Sequence, residues 1–352
     1  MLDDDRSRQP GWSLDRRTWA KSAAAFVCGA AMPRVGQGIG DDPPASNSKA
    51  DEQAPPAPAG ESAQNLSPQD EEKLEFEQAR EHADRATTRP LVEWRTERFQ
   101  AIGDASLAFL KLTLADCEAL ASDFLDHYRE KGFKVAAPPR RLTLVIFQDE
   151  RPFRQFAPNL PSVVSGLYKR TENWLVLFDF RNAPRGSRPA AYANISTLAH
   201  EATHLLCYNY GLLKRDGDAP RSIVEGLATY AEEHRLHGRE QPGKLNSMRL
   251  DDLAHVRRRI DWISLKTLLK DDRRVFASTL DRVLLGYAQS WLLIYYLMST
   301  PETVVRLREY LEAISGRTDD THRIQDAQAR LGDLDRLDAQ LRREAVRLQF
   351  AR

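Results

Sequence analysis

The spacing of apolar residues changes partway along the chain, from the period of strands to the period of helices. Residues 92–102 alternate between apolar and polar positions, whereas residues 141–148 and 174–180 are almost continuously apolar, as in strands buried on both faces. An apolar stripe over residues 115–131, closed by Gly132, predicts an amphipathic helix. We therefore expect the order strand, helix, strand, strand in this part of the chain.

The remainder of the chain follows the helical period. Helices are predicted over residues 222–236, 250–260, 284–298, 301–315 and 324–348, with breaks rich in Gly, Pro or Asp between them. Just before them, apolar positions within residues 195–206 predict one more helix, which Gly211 ends. The predicted fold class is α+β: a small mixed sheet, then this helix, then an all-helical C-terminal half.

The N-terminal residues predict an export signal and a linker rather than folded elements. Residues 15–21, which include an Arg-Arg pair, resemble a twin-arginine signal, and the weakly apolar stretch that completes residues 1–32 is too short to span a bilayer. Residues 33–67 are rich in Pro and Ala, so we expect a disordered linker there. Export to the periplasm or the exterior is expected; a cytoplasmic tail is the alternative.

Three parts are expected after the linker. They are a charged helix over residues 68–88 with Ser67 as its cap, a catalytic subdomain over residues 89–240 and a helical subdomain over residues 241–352. No segment after the leader has the length and apolarity of a membrane-spanning helix, so no integral membrane segment is expected there.

Charge and cysteine content exclude several classes of protein. Lys plus Arg and Asp plus Glu number 51 each, so the chain lacks the basic excess that is typical of nucleic-acid binding. The cysteines Cys28, Cys117 and Cys207 are too widely spaced for a thiolate zinc site or a redox motif. Cys117 and Cys207 are expected as two buried thiols, with a disulfide in an oxidising compartment as the alternative.

One short segment has the residues of a zinc hydrolase. Residues 200–204 read His-Glu-Ala-Thr-His, and residues four apart on a helix lie one above the other, so His200 and His204 can bind one ion. Catalytic zinc takes three protein ligands and a water. Glu225, one predicted helix later, is the expected third ligand. Ser222-x-x-Glu225 also fits a capping box, in which the glutamate only closes a helix start.

These residues predict metal-assisted hydrolysis of a peptide bond. With zinc held by His200, His204 and Glu225, the carboxylate of Glu201 would take the proton of the attacking water and pass it to the leaving amine. A peptide or protein is the expected partner. Two alternatives remain open: a non-catalytic zinc-containing module that binds an extended peptide, and a zinc amidase that acts on cell-wall peptides.

Longer blocks around these residues resemble a known family. The pattern His-Glu-x-x-His-x-x-x-x-Asn, ending at Asn209, and the later pattern Glu225-Gly-Leu-Ala-x-Tyr-x-Glu232 resemble the gluzincin metallopeptidases. The similarity is greatest to the peptidase-MA-like and DUF1570-type proteins, and the M1 aminopeptidases are more distant. It implies a thermolysin-like catalytic domain with zinc as the cofactor. Further similar blocks lie at residues 166–168, 287–291 and 295–297.

The same resemblance implies roles for further residues. Tyr287 would begin a helix that faces the metal, and its hydroxyl would stabilise the developing oxyanion. Asn209 and Glu232 would lie near the metal as outer groups. The strand over residues 174–180 would be the edge strand that pairs with an extended substrate.

Ordinary structural explanations exist for three of these four features. Tyr287 can be an amphipathic tyrosine at a helix start, Asn209 can cap its own helix, and residues 174–180 can form a simple core strand. The chain also lacks the Gly-x-Met-Glu-Asn amine anchor of M1 aminopeptidases. Endopeptidase-like action is therefore expected rather than removal of N-terminal residues.

Overall fold

The computed structural model describes residues 66–158, 160, 164–179, 190–233 and 242–350. The expected export signal at residues 1–32 lies outside the described residues, and so does the linker apart from its last two positions. Within the described residues the fold is mixed α+β, with a small mixed sheet followed by a mostly helical C-terminal half, as predicted.

Helix α1 (Pro68–Ala86) begins where the capping residues predict it. The Ser67 side chain accepts a hydrogen bond from the backbone N–H of Asp70 at 3.2 Å, and Pro68 occupies the first turn. The helix buries Phe76 and small alanines against one face of the sheet, where they join Val145 and Trp174 in one apolar cluster. Residues 68–86 therefore form part of a packed layer over the sheet.

The sheet has five strands in the order β1-β2-β3-β5-β4. The strands are β1 (Val92–Arg95), β2 (Phe99–Gly103), β3 (Leu142–Phe147), β4 (Gly166–Lys169) and β5 (Trp174–Phe178). Strands β2, β3 and β5 run parallel, and β1 and β4 are antiparallel to their neighbours. The mixed sheet confirms the prediction.

Two predictions about individual strands were wrong. Residues 92–102 form a hairpin rather than one strand, because the polar residues 96–98 turn the chain and Thr96 N–H donates to Phe99 C=O at 2.8 Å. Strand β5 is not an edge strand: it lies between β3 and β4, and all five of its residues are buried. The core-strand alternative therefore holds, and the two edges of the sheet are β1 and β4.

Helices cover the second face of the sheet. They are α2 (Leu107–Glu130) and α4 (Ala190–Asn209), whereas the short α3 (Glu150–Phe156) after β3 packs on the first face beside α1. Strand side chains alternate between the faces, so Leu144 and Ile146 pack toward α2 and α4 while Val145 and Phe147 pack toward α1. Helix α2 begins eight residues before the predicted start at residue 115, since Ser106 caps it at Phe109 N–H.

The C-terminal half is helical throughout its described residues. Its helices are α5 (Arg221–Ala231), α6 (Ser247–Val256), α7 (Leu265–Lys270), α8 (Asp272–Phe276), α9 (Leu280–Leu297), α10 (Pro301–Ser315), α11 (Arg323–Leu331) and α12 (Leu334–Phe350), with a 3₁₀ turn at Asp320–His322. The single helix predicted over residues 324–348 is divided at Gly332, whose φ of 88° lies in the left-handed region. None of the described helices has the length and apolar character needed to cross a membrane.

Candidate metal centre

The two histidines of α4 converge as their spacing predicts. His200 and His204 are buried, and their ring centroids lie 4.9 Å apart at an interplanar angle of 82°. The neighbouring residues Leu198, Ala199 and Leu205 pack into the main core and fix the rotation of the helix. Both imidazoles therefore point to one position beside α5.

Glu225 comes from α5 to complete the group. Its Oε2 lies 3.4 Å from His200 Nε2 and 3.5 Å from His204 Nε2, and the side chain is 1% exposed. The capping-box alternative is wrong, because α5 begins after Pro220 without a side-chain cap. Arg221 Nε donates to the other carboxylate oxygen of Glu225 at 3.1 Å, which leaves Oε2 directed at the imidazoles.

The geometry of these three side chains fits a small cation. Zinc–nitrogen bonds of about 2.0–2.1 Å in a tetrahedral site place neighbouring ligand atoms about 3.4 Å apart. The ligand atoms of His200, His204 and Glu225 all lie within 4.8 Å of one another, and no other such group of three occurs among the described residues. Glu225 Oε2 is buried and makes no hydrogen bond within the described part of the chain. A buried carboxylate oxygen in this position can serve as a metal ligand.

The charge state of Glu225 also suits a metal ligand. Burial raises the pKa of this carboxyl, but the two adjacent imidazoles and the charge of Arg221 hold it well below its usual range. The group is therefore an anion at neutral pH, although it is removed from water.

Glu232 orients the first imidazole, near the metal position as the resemblance implied. Its Oε1 lies 2.9 Å from His200 Nδ1. Since a carboxylate only accepts hydrogen bonds, Nδ1 carries the proton and Nε2 presents its lone pair toward His204 and Glu225. Burial raises the pKa of Glu232, but the charge of Arg249 and the bond to His200 lower it to about 2.

Arg249 stands behind Glu232 and is a residue that the sequence did not indicate. Its side chain is fully buried and donates to both Glu232 oxygens, at 2.6 and 3.1 Å. Its guanidinium carbon also lies 5.3 Å from the ring centroid of Tyr287. Asp252 Oδ2 lies 3.4 Å from Arg249 Nη1. Burial raises the pKa of Asp252 to about 6 despite the charge of Arg249. No local pattern marks these residues, because α6 meets α5 only in the folded chain.

Glu201 lies beside the metal ligands and contacts the edge of the sheet. Its carboxylate accepts the backbone N–H of Tyr168 in β4 at 2.8 Å, and the side chain is 2% exposed. Gly166 permits this approach: a Cβ there would lie 2.7 Å from Thr197 Cγ2 and 3.3 Å from Glu201 Cγ. The block at residues 166–168 thus brings the edge strand against the metal helix.

Tyr287 lies on α9 and faces the same centre. It is 1% exposed, and its ring centroid is 6.5 Å from that of His200. Helix α9 begins at Leu280, so Tyr287 lies two turns inside the helix rather than at its start, as had been expected. Its hydroxyl is hydrogen-bonded to Arg221, which also contacts Glu225. Arg221 was not singled out from the sequence, although it lies four residues before Glu225 on one helix face.

The side chain of Asn209 bonds to its own helix and to the β4–β5 turn. Its side-chain amide donates to Leu205 C=O at 2.8 Å and to Asn173 Oδ1 at 2.7 Å. The alternative that it caps its own helix is therefore correct. Asn173 has a φ of 64° at the β4–β5 turn and also accepts from Tyr168 Oη at 2.7 Å, so Asn209 joins the end of α4 to this hairpin.

The cysteines agree with the favoured expectation. Cys117 and Cys207 are both free and buried, and burial raises the pKa of each thiol. They are therefore protonated core residues rather than reactive thiolates.

Comparison with known families covers the part of the chain that contains the centre. Residues 194–318 match the family model described as "Protein of unknown function (DUF1570)". No curated protein matches the chain. The matched segment begins within α4 before His200 and ends after α10, so it contains His200, His204, Glu225 and Tyr287. The centre therefore lies wholly inside the segment that is similar to this family.

Proposed function

We propose that this protein is a zinc-dependent peptidase of the gluzincin type with a thermolysin-like catalytic domain. The observation that carries the proposal is the convergence of His200 and His204 from α4 with Glu225 from α5. Two imidazoles and one carboxylate are the donor set of a catalytic zinc site, whereas magnesium and calcium sites use oxygen donors. We also propose export, on the twin-arginine-like residues alone.

Zinc would be held by His200, His204 and Glu225 and would supply Lewis acidity toward a water and the scissile carbonyl. Glu201 would take the proton of the attacking water at its carboxylate and deliver it to the leaving nitrogen. The Tyr168 N–H holds Glu201 at 2.8 Å, which orients the carboxylate for this role. Burial of all four side chains excludes bulk water from the proton transfer.

The outer edge of β4 would bind an extended substrate. In an antiparallel strand the N–H and C=O of one residue point to the same side. Tyr168 N–H donates to Glu201 rather than to β5, so Gly166 and Tyr168 present backbone groups at the outer edge. A peptide added there as a sixth strand would place its backbone beside Glu201. Strand addition at a sheet edge uses the backbone of a peptide and needs no free N-terminus, which favours endopeptidase-like action.

Tyr287 would stabilise the oxyanion that forms on the substrate carbonyl. The phenol is buried beside His200, with its ring centroid 6.5 Å from that of the imidazole. Arg221 holds the phenol oxygen through a hydrogen bond. A donor aimed at charge that develops only in the transition state accelerates the chemical step without tightening substrate binding.

Metal content and turnover of a mixed peptide library test this function. We expect the wild type to contain about one zinc per chain and to cleave peptides. Glu201→Gln should retain the zinc and lose turnover by about 10²–10⁴-fold, because it removes the proton acceptor but no ligand. Zinc retention with no turnover in either form would support the peptide-binding module instead. Cleavage of cell-wall peptides alone would identify the amidase.

A further inference from the structure

A cationic cleft lies next to the candidate metal centre, between the β4–β5 turn and the loop after α4. Its volume is about 630 Å³, and its lining includes Arg170, Tyr208, Lys214, Arg215 and Asp216. Three cations against one carboxylate leave the lining with a net charge of plus two, whereas the whole chain is neutral. The excess is therefore local to this cleft.

The three cations that line the cleft are exposed to solvent and so are available to a ligand. Among the described residues, Arg170, Lys214 and Arg215 form no salt bridge. By contrast, Arg140 near the same hairpin lies 2.9 Å from Glu75. Like charges that line one cleft repel one another, and an anionic ligand relieves that repulsion.

Two aromatic rings join the cleft to the catalytic residues. Tyr208 lies four residues after His204, on the same face of α4 and one turn farther along. Its ring stacks on Tyr168 at a centroid distance of 5.7 Å and an angle of 19°, and the guanidinium carbon of Arg170 lies 5.5 Å from its centroid. Tyr168 in turn donates its N–H to Glu201. The cleft and the centre therefore share a wall.

The edge strand sets the distance from the centre to the cleft. Arg170 follows Tyr168 by two residues, which span about 7 Å in an extended chain. A peptide bound along β4 with its scissile bond beside Glu201 would place a group one or two residues away over the cleft. At this distance a substrate carboxylate reaches the cations, and a neutral side chain leaves them unpaired.

We propose that this cleft binds a carboxylate of the substrate, so that the enzyme selects acidic peptides. The proposal rests on the proposed peptidase function. The carboxylate can be an Asp or Glu side chain or the C-terminal group of the peptide, because both present the same two oxygens to Arg170, Lys214 and Arg215. Asp216 also lines the cleft and offsets one of its three positive charges.

Peptide binding to the Glu201→Gln protein tests the cleft without requiring turnover. Fluorescent peptides are compared in matched pairs: Glu against Gln near the centre of the peptide, and a free C-terminus against an amide. We expect one acidic member to bind about tenfold more tightly, since an exposed charge pair contributes about 0.2–1 kcal/mol and more than one cation takes part. The pair that shows the preference identifies the source of the carboxylate.

A double variant and a matched control locate the preference. Lys214→Gln with Arg215→Gln should abolish the preference for the acidic peptide and leave binding of its neutral partner within about twofold. Arg258→Gln with Lys270→Gln removes the same charge from exposed positions outside the cleft and should preserve the preference. Equal binding of both members of each pair, or a preference that survives in the cleft variant, would overturn the proposal. An acidic preference without any peptide cleavage would keep the cleft and reject the peptidase.

Discussion

Two buried carboxylates of the centre, Glu225 and Glu232, each pair with an arginine. Arg221 lies 3.1 Å from Glu225, and Arg249 lies 2.6 Å from Glu232. The pairing keeps both carboxylates ionised despite their burial, so Glu225 can bind a cation and Glu232 can orient His200. Both arginines also contact Tyr287, through the hydroxyl in one case and the ring face in the other. The position of that phenol is thus tied to the ligand set.

Tyr287→Phe separates the proposed chemical role of the hydroxyl from its packing. The ring contacts with Phe276, at a centroid distance of 5.5 Å, and with Arg249 remain in the variant. We expect kcat to fall by about 10²–10³-fold, with KM and zinc content within about twofold of the wild type. Tyr310→Phe removes a buried hydroxyl elsewhere and should leave kcat unchanged. An unaltered kcat for Tyr287→Phe would mean that the hydroxyl only holds Arg221 in place and has no role in the chemical step.

Close packing of three helices brings the ligands together. Helix α5 lies between α4, which carries the histidines, and α9, which carries Tyr287. Gly226, the residue after Glu225, faces the backbone of α9, and a Cβ there would lie 2.6 Å from Ser290 O and 2.7 Å from Ile294 Cγ1. Glycine is therefore required for the close approach of α5 and α9. This approach determines how deeply the Glu225 side chain is buried.

Gly226→Ala should weaken both the fold and the metal site. The added methyl group meets backbone that cannot move alone, so α5 and α9 must separate, at a cost of about 1–3 kcal/mol in the free energy of unfolding. Denaturant unfolding and zinc affinity by chelator competition measure the two effects. Gly316→Ala is the matched control, because its nearest neighbour would be Ala313 O at 3.7 Å. Equal unfolding midpoints for the two variants would refute the packing argument.

The centre joins the two halves of the chain. Its histidines belong to α4, which packs on the sheet, and Glu225 belongs to α5, which opens the helical half. The start of α5 is held within the helical half, where Arg323 bridges Asp218 and Asp272, and Arg221 N–H donates to Asp272 at 2.9 Å. This network fixes the N-terminal end of α5, and a bound ion would fix its next turn to α4.

Removal of the metal should therefore lower the stability of the entire fold. At free zinc about 100 times the dissociation constant, binding to the native state adds about 2.7 kcal/mol to the free energy of unfolding. Thermal unfolding with a chelator, and again after zinc is restored, measures this difference. In Glu225→Gln the same treatment should change the midpoint far less, because a ligand is missing. A wild-type midpoint that is insensitive to zinc would contradict a metal link between α4 and α5.

The parts of the fold and of the centre that could be predicted are those set by residues close together in the sequence. The helix that carries His200 and His204, the α1 start at Ser67 and the buried strands β3 and β5 all follow from residues that are neighbours in the sequence. The errors arose where local pattern is ambiguous. Alternation runs through the hairpin at residues 92–102, and a strand buried on both faces does not indicate its neighbours, so β5 could be taken for an edge.

The sequence alone established the imidazole pair, the general base candidate on the same helix and the α+β class, because helix and strand periods are local properties. The tertiary structure decided the features that depend on contacts between segments distant in the sequence. Glu225 turned out to face the histidines rather than cap its helix, Arg249 came to stand behind Glu232, and β4 became an edge strand. The cationic cleft likewise exists only because a hairpin turn and a loop about forty residues later lie side by side in space.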